Sequence, residues 1–341
     1  MPPEAFLSLD RQTQQEIYLS VSEKTGLTGP ILEKDVWVCW TLNTLFSMPN
    51  ALPMAFKGGT SLSKVYNAIS RFSEDIDVTI AYKALDDSMD PFDTNTSRNA
   101  RDRYSANLKR EVARHVSEVV APHFRSILAQ EIMFDFERIE LDTANPENLF
   151  IHYPSAFDET GDYLASRVKV EFGGRNEILP SETHLVHAYA SEHTAGLVFP
   201  QAEVQVLAPE RTFWEKATLI HVACGRPFRG DTSRQSRHWY DLDRLAQSDI
   251  GKRALANRDL LADVVRVKKV FFNSSTADYD ACLTGVLRLV PAGDSLTELE
   301  RDYSAMQAAN MILGDVPEFK EIIERLGQLA ETINWGNSSS Y

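Results

Sequence analysis

Cysteine is scarce in this 341-residue chain: Cys39, Cys224 and Cys282 lie far apart and show no metal-ligand spacing. That excludes a disulfide scaffold and suits a reducing compartment in which each thiol serves as a small buried hydrophobe. Long hydrophobic runs are lacking as well. The most apolar stretch, Val36 to Met48, follows Glu33-Lys34-Asp35 and contains Asn43. It falls short of the roughly 20 residues a membrane helix needs, so a buried amphipathic helix is expected instead. The opening Met1-Pro2-Pro3-Glu4-Ala5 has no basic region followed by an apolar core, so no signal peptide and a cytoplasmic location are expected. Positive charge is in deficit, 35 Lys plus Arg against 49 Asp plus Glu for a net charge of −14. A uniformly basic nucleic-acid coat is thereby excluded, but a local basic patch is not. What remains, 43% hydrophobic and 25% charged residues, is the composition of a globular chain, and the length suits about two domains.

Patterning divides the chain. Helices are expected over Arg11–Ser22 and from Gly29-Pro30 to about Phe46, followed by a short strand at Leu52–Phe56. Gly58-Gly59 then precedes helical periodicity from Thr60 to Ile69, and Asp75–Ile80 alternates as a strand does. Leu85–Ser97 reads as an exposed loop and Ser97–Leu128 as a long helix broken near Pro122. Strand-like alternation returns at Ile132–Leu141, Leu149–Tyr153 and Val168–Phe172. Beyond Pro209 helices are expected at Glu210–Val222, His238–Ala246, Leu255–Phe271, Leu296–Leu313 and Pro317–Ile333. The expected architecture is an α/β (α+β) core with a mixed sheet over residues 1–207. A helical C-terminal domain over 208–341 is expected to complete the active-site cleft.

The most informative stretch joins Phe56-Lys57-Gly58-Gly59-Thr60-Ser61 to Ser73-Glu74-Asp75-Ile76-Asp77-Val78. Residues two apart on a strand project from one face, so Asp75 and Asp77 point together while Ile76 and Val78 enter the core. Adjacent carboxylates repel unless a cation neutralises them, and Mg²⁺ is a hard ion suited to one or two carboxylates plus phosphate oxygens. A diglycine between strand and helix lets backbone N–H groups approach an anion, and Thr60 or Ser61 either caps that helix or bonds a phosphate. In Val168-Lys169-Val170-Glu171-Phe172 an acid sits among apolar neighbours. Glu171 is either a metal ligand or the ion-pair partner of Arg167, Lys169 or Arg175.

Gly-Gly, Asp-x-Asp on a strand and a single acid on a later strand together resemble the DNA polymerase β-type nucleotidyltransferase superfamily. More closely, Lys57-Gly58-Gly59-Thr60-Ser61-Leu62-Ser63-Lys64 with Arg71-Phe72-Ser73-Glu74-Asp75-Ile76-Asp77 resembles the AbiEii/AbiGii toxin family. Arg211-Thr212-Phe213-Trp214-Glu215-Lys216 and Arg237-His238-Trp239-Tyr240-Asp241-Leu242 are similar to two further motifs of that family, and Glu33-Lys34-Asp35 also has a familial look. Two departures stand out. The gap from Gly59 to Asp75 is longer than in the general superfamily, and the third acid is Glu where many relatives have Asp.

The resemblance implies a Mg²⁺-dependent nucleotidyltransferase with catalytic residues Asp75, Asp77, Glu171, Lys216 and Asp241, the first three holding metal. Gly58, Gly59, Thr60, Ser61, Lys64, Thr212 and Lys216 would bind the nucleoside triphosphate. It further implies a growth-inhibiting toxin that modifies the 3′ end of tRNA, with a cognate antitoxin that binds DNA and is transcribed with it. Read from the residues alone, Thr212 and Lys216 share a helix face, with Lys216 either a phosphate ligand or a surface residue. Asp241 lies at helical spacing from Arg237 and Arg244, so a structural ion pair competes with a site role. His221 and His238 have no metal-ligand spacing and suit helix packing or polar surface. Two basic segments stand out, from Arg98 to Arg114 and from Lys216 to Tyr240, and phosphate backbones bind such patches. Arg98, Arg101, Arg103, Arg226, Arg229 and Arg234 are accordingly the candidate acceptor-binding residues. The rival readings are a nucleotide-binding module without transfer activity and an enzyme that nucleotidylates protein hydroxyls.

Overall fold

Local signals set the helix limits at the start of the chain. Asp10 accepts a hydrogen bond from the Thr13 backbone N–H at 3.0 Å, and Gly26, at φ 73°, ends the helix that follows. The computed structural model describes residues 4–131, 138–157, 165–228, 233–274 and 276–338. In order these form β1 (Glu4–Ala5), α1 (Arg11–Thr25), α2 (Gly29–Phe46), β2 (Met54–Lys57), α3 (Gly58–Lys64), β3 (Ile76–Ile80), α4 (Tyr82–Leu85), α5 (Arg98–His115) and α6 (Ala121–Glu131). There follow β4 (Ile139–Leu141), β5 (Asn148–His152), β6 (Arg167–Gly173), β7 (Ser181–His187), β8 (Leu197–Val198) and β9 (Gln201–Leu207). The remainder is α7 (Pro209–Cys224), α8 (Ser236–Ala246), α9 (Asp249–Ala256), α10 (Arg258–Phe271), α11 (Asp294–Ala308) and α12 (Phe319–Ser338).

The chain divides into two compact units. One comprises Met1–Val65, Glu74–Ser88 and Ala106–Val206, and is built on a seven-stranded mixed sheet of order β4-β5-β6-β3-β2-β9-β7. Within it β3 runs parallel to β6 and antiparallel to β2, and β2 runs parallel to β9. The fold class is thus mixed α/β, as expected. Helix α2 is buried nearly all round, not on one face only; Trp37 stacks on Tyr153 with ring centroids 5.4 Å apart. The other unit comprises Tyr66–Ser73, Met89–Ser105 and Leu207–Tyr341. Its core is anchored by two tryptophans, whose indole N–H groups donate to the Ala254 and Leu289 carbonyls from Trp214 and Trp239.

Several expected elements are reshaped. The helix expected over Thr60–Ile69 starts at Gly58 and ends at Lys64, and Asn67 just beyond takes a left-handed φ of 47°. The gap between Gly59 and Asp75 is long because Tyr66–Ser73 leaves the sheet unit for the helical one. Pro122 does not break its helix. A π-helical turn, Val116–Val120, precedes it and carries the axis onward past the missing N–H. The expected helix Leu255–Phe271 is two helices, because the Asn257 side chain accepts from the Leu260 N–H at 3.1 Å and starts a new one. Expected helix Leu296–Leu313 stops at Ala308, and residues 311–313 instead pair with residues 70–72. Of the strand expected over Ile132–Leu141, residues 132–137 lie outside the described residues. Strands β7 and β9 were not anticipated.

Candidate active site

In the sheet unit the candidate residues gather where β2 turns into α3. Lys57 is extended, Gly58 takes φ 82°, and the helix begins there. A side chain at position 58 has no room: its Cβ would lie 2.0 Å from Asp77 Oδ2 and 2.7 Å from Asp77 Cγ. Asp77 is opposite Lys57 on β2 and opposite Glu171 on β6, and Glu171 in turn is opposite Asn148 on β5. Directly opposed residues project to the same face, so two carboxylates share one row of the sheet. Asp75 stands one residue before β3, and its carbonyl accepts from the Thr60 hydroxyl at 2.5 Å. Ser61 donates to the Gly58 carbonyl at 2.9 Å. Both hydroxyls are buried and brace the turn that presents the carboxylates. Glu171 is ion-paired with Lys169, which lies two residues away on the same strand face.

Behind this turn stand three consecutive charges of α2. Glu33 accepts from the Ser155 hydroxyl and the Ala156 N–H, each at 2.6 Å; burial nevertheless raises its carboxyl above the ordinary range. Lys34 pairs with Glu74 at 2.5 Å and donates to the Ala165 carbonyl at 3.2 Å. Asp35 pairs with Lys64 and accepts from the Tyr189 N–H at 2.7 Å. Lys64, expected among the nucleotide ligands, therefore gives its ammonium to Asp35, 3.9 Å from the centre of the Tyr189 ring. Burial alone would lower the Lys64 pKa; the Asp35 carboxylate outweighs that and raises it. The three charges of α2 thus tie it to Ser155, Ala156 and Ala165, to Glu74 beside Asp75, and to α3.

In the helical unit Asp241 of α8 is fully buried and holds two cations. Arg71 grips it with both prongs of its guanidinium, Nε to Oδ1 at 2.6 Å and Nη2 to Oδ2 at 2.8 Å. Lys216 of α7 reaches Oδ2 at 2.9 Å. Burial would raise the Asp241 carboxyl, but Arg71 and then Lys216 outweigh it and hold it well below the usual carboxylate range. Burial lowers the Lys216 pKa despite Asp241. Asp241 is thus an ion-pair partner, though of neither Arg237 nor Arg244; Arg244 pairs with Asp243 at 2.7 Å. Nothing in the spacing of Arg71, four residues before Asp75, marks it as the partner of Asp241. Around this group the Thr212 hydroxyl and His238 Nδ1 are buried with no hydrogen-bond partner among the described residues. His221 is buried and tied to two connecting segments: its ring accepts from the Arg288 N–H at 3.0 Å and donates to the Asp278 carbonyl at 2.8 Å.

Among the acceptor candidates, Arg98, Arg103, Arg226 and Arg234 are exposed. Arg101 is half-buried and donates to the Asp93 carbonyl at 2.9 Å. Arg229 lies outside the described residues.

The donor set of Asp75, Asp77 and Glu171 is all oxygen, which suits a hard divalent ion completed by phosphate oxygens. Among the described residues no three Asp, Glu, His or Cys side chains come together as a ready-made metal group. The register of Asp77 with Glu171 sets two of these carboxylates in one row of the sheet. This is the frame of an enzyme that transfers nucleotidyl groups. The chain belongs to the family described as the nucleotidyl transferase AbiEii toxin of type IV toxin–antitoxin systems, whose model matches residues 42–325. It is accordingly a nucleotidyltransferase toxin of such a system, and its partner is an antitoxin. The matched region contains all five expected catalytic residues but begins after Glu33-Lys34-Asp35. Among solved structures, MenT4, a nucleotidyltransferase toxin from Mycobacterium tuberculosis H37Rv, is 18% identical over 97% of this chain and 99% of that one, at a TM-score of 0.43. No curated protein matches the sequence. No helix among the described residues is long and apolar enough to cross a membrane.

Proposed function

We propose that the chain is a cytoplasmic enzyme that moves a nucleoside monophosphate from a nucleoside triphosphate to a hydroxyl acceptor, the 3′ end of tRNA, in the presence of Mg²⁺. The observation that carries this is the register of Asp77 with Glu171 across two parallel strands, with Gly58 held against Asp77. Asp75, Asp77 and Glu171 would hold Mg²⁺, which when bound offsets charge on the phosphate oxygens. The Gly58-Gly59 turn, braced by Thr60 and Ser61, lets backbone approach the triphosphate closely, and Lys216 with Thr212 supplies a cation and a hydroxyl to it. The acceptor oxygen forms a bond to the α-phosphorus, the bond from that phosphorus to the bridging oxygen breaks, and pyrophosphate leaves. The acceptor proton passes to a carboxylate oxygen. Exposed Arg98, Arg103, Arg226 and Arg234, with Arg101 and Arg229, provide phosphate contacts that position the acceptor without reading its sequence. The antitoxin binds DNA and is transcribed with the toxin.

The test is incubation of the purified protein with Mg²⁺, each labelled nucleoside triphosphate and total RNA, beside Asp77→Asn. Label on tRNA with the parent protein, lost in the variant, is the expected result. Label on protein would replace the acceptor with protein hydroxyls. Nucleotide binding with no label on either would leave a binding module and overturn the proposal.

A further inference from the structure

Arg71 holds the fully buried Asp241 of the helical unit through two hydrogen bonds, at 2.6 and 2.8 Å. Its backbone neighbours are pinned: the Phe72 N–H donates to the Met311 carbonyl and the Leu313 N–H to the Ser70 carbonyl, both at 2.7 Å, and residue 71 itself bridges Ile312. From that fixed point the guanidinium delivers two near-parallel hydrogen bonds to Asp241, a geometry a lysine cannot reproduce. Lys216 shares the same carboxylate. Lys216 therefore has only a share of the one carboxylate it reaches, and a buried ammonium is costly unless further negative charge meets it. One turn before Lys216 on the same helix, Thr212 is 4% exposed and its hydroxyl has no partner among the described residues. An unpartnered buried hydroxyl beside an ammonium with only a share of a carboxylate points to an anionic ligand.

We infer that Arg71 is a positioning residue for nucleotide transfer: by satisfying Asp241 with both prongs it leaves the Lys216 ammonium available to the triphosphate. The inference rests on the role of Lys216 proposed above. Without Arg71, Lys216 becomes the partner on which Asp241 relies, and its charge is neutralised within the pair instead of being offered to phosphate. The groups that act on Lys216 are Asp241, which favours its charged form, and Arg71 and Arg237, which oppose it along with burial. His238 faces the same cations; burial, then Lys216 and Arg237, hold it well below the usual histidine range, so it adds no charge at neutral pH.

The test is nucleotide affinity by titration calorimetry in Mg²⁺, using ATP, GTP, CTP and UTP, for the parent, Arg71→Lys, Arg71→Met and Lys216→Ala, across pH. Arg71→Lys keeps the charge and loses the fork, so affinity for the preferred nucleotide should weaken at least fivefold. In Arg71→Met the repulsion on Lys216 is removed, so the loss of affinity on raising pH should move to higher pH even though affinity at neutral pH is lower. A role confined to bracing the fold would weaken binding without moving that limb. Wild-type affinity in Arg71→Lys overturns the inference, and so does an unmoved alkaline limb in Arg71→Met. Should Arg71→Met not fold, the charge-retaining Arg71→Lys decides alone. Unchanged affinity in Lys216→Ala would instead remove Lys216 from the nucleotide site, which is a failure of the underlying reading and is seen separately.

Discussion

Gly58→Ala is the sharpest single perturbation of the carboxylate row, and Gly26→Ala is its control. Both glycines take positive φ, 82° and 73°, so each substitution carries the same backbone strain of about 1–2 kcal/mol. They differ in what a Cβ meets. At Gly26 nothing lies within 4 Å, whereas at Gly58 Asp77 Oδ2 lies at 2.0 Å and would have to retreat by about 1 Å to reach the 3.0 Å floor of real contacts. Forced displacement in a packed place adds about 1–3 kcal/mol, so Gly58→Ala should cost about 2–5 kcal/mol against about 1–2 for the control. A shift of about 1 Å in a reacting group costs on the order of 10²-fold in rate. Urea denaturation and single-turnover label transfer measure the two quantities on the same preparations. In an Asp77→Ala background the added penalty of Gly58→Ala should shrink, because Oδ2 and Cγ are gone. Equal stability of the two alanine variants, with full transfer activity in Gly58→Ala, would refute the claim that Gly58 is there to admit Asp77.

The carboxylate row was legible because its logic is local. Period-two alternation marks Asp77 as projecting opposite Ile76 and Val78, although Asp75, expected on the same strand, stands just before it, and a diglycine between strand and helix announces a close backbone approach. Which strand would lie beside β3 was not legible. The pairing of Asp77 with Glu171 joins residues 94 positions apart, and sequence spacing does not encode register. For the same reason the sequence leaves Glu171 open between a metal and an ion pair with Arg167, Lys169 or Arg175, and the structure shows the Lys169 pair alongside the registered carboxylates.

Charges on buried helices were the hardest to read. Glu33, Lys34 and Asp35 directly precede the most apolar stretch of the sequence, and all three are buried, each on a different partner. Helical spacing offers Asp241 the cations of Arg237 and Arg244. Its cations come from Arg71 and Lys216, 170 and 25 positions away. Strand β9 is a different kind of miss: Ala202, Val204 and Val206 alternate inward in plain view. By contrast β7, Ser181–His187, is polar nearly throughout and gives little periodic signal.

Two further outcomes are expected. Lys34→Met should destabilise the protein by about 3–5 kcal/mol, the range for breaking a buried ion pair, and Lys34→Met with Glu74→Gln should recover part of that loss in urea denaturation. Additive losses would mean that the Lys34–Glu74 contact contributes no coupling. Asp241→Asn should cost a similar amount at neutral pH, because it leaves two buried cations facing an amide. Its pH dependence has a definite sign. The folded carboxyl of Asp241 titrates below its unfolded value near 3.9, so its stabilisation is fully present above that value and is lost as pH falls towards the folded one. The other depressed carboxyls, such as Asp142 and Asp263, are common to both proteins and cancel in the difference. The stability gap between parent and Asp241→Asn should therefore be flat from neutral pH down to about 4 and then close in acid. A gap that stays constant through that range would mean that Arg71 and Lys216 do not hold the Asp241 carboxyl in its charged form.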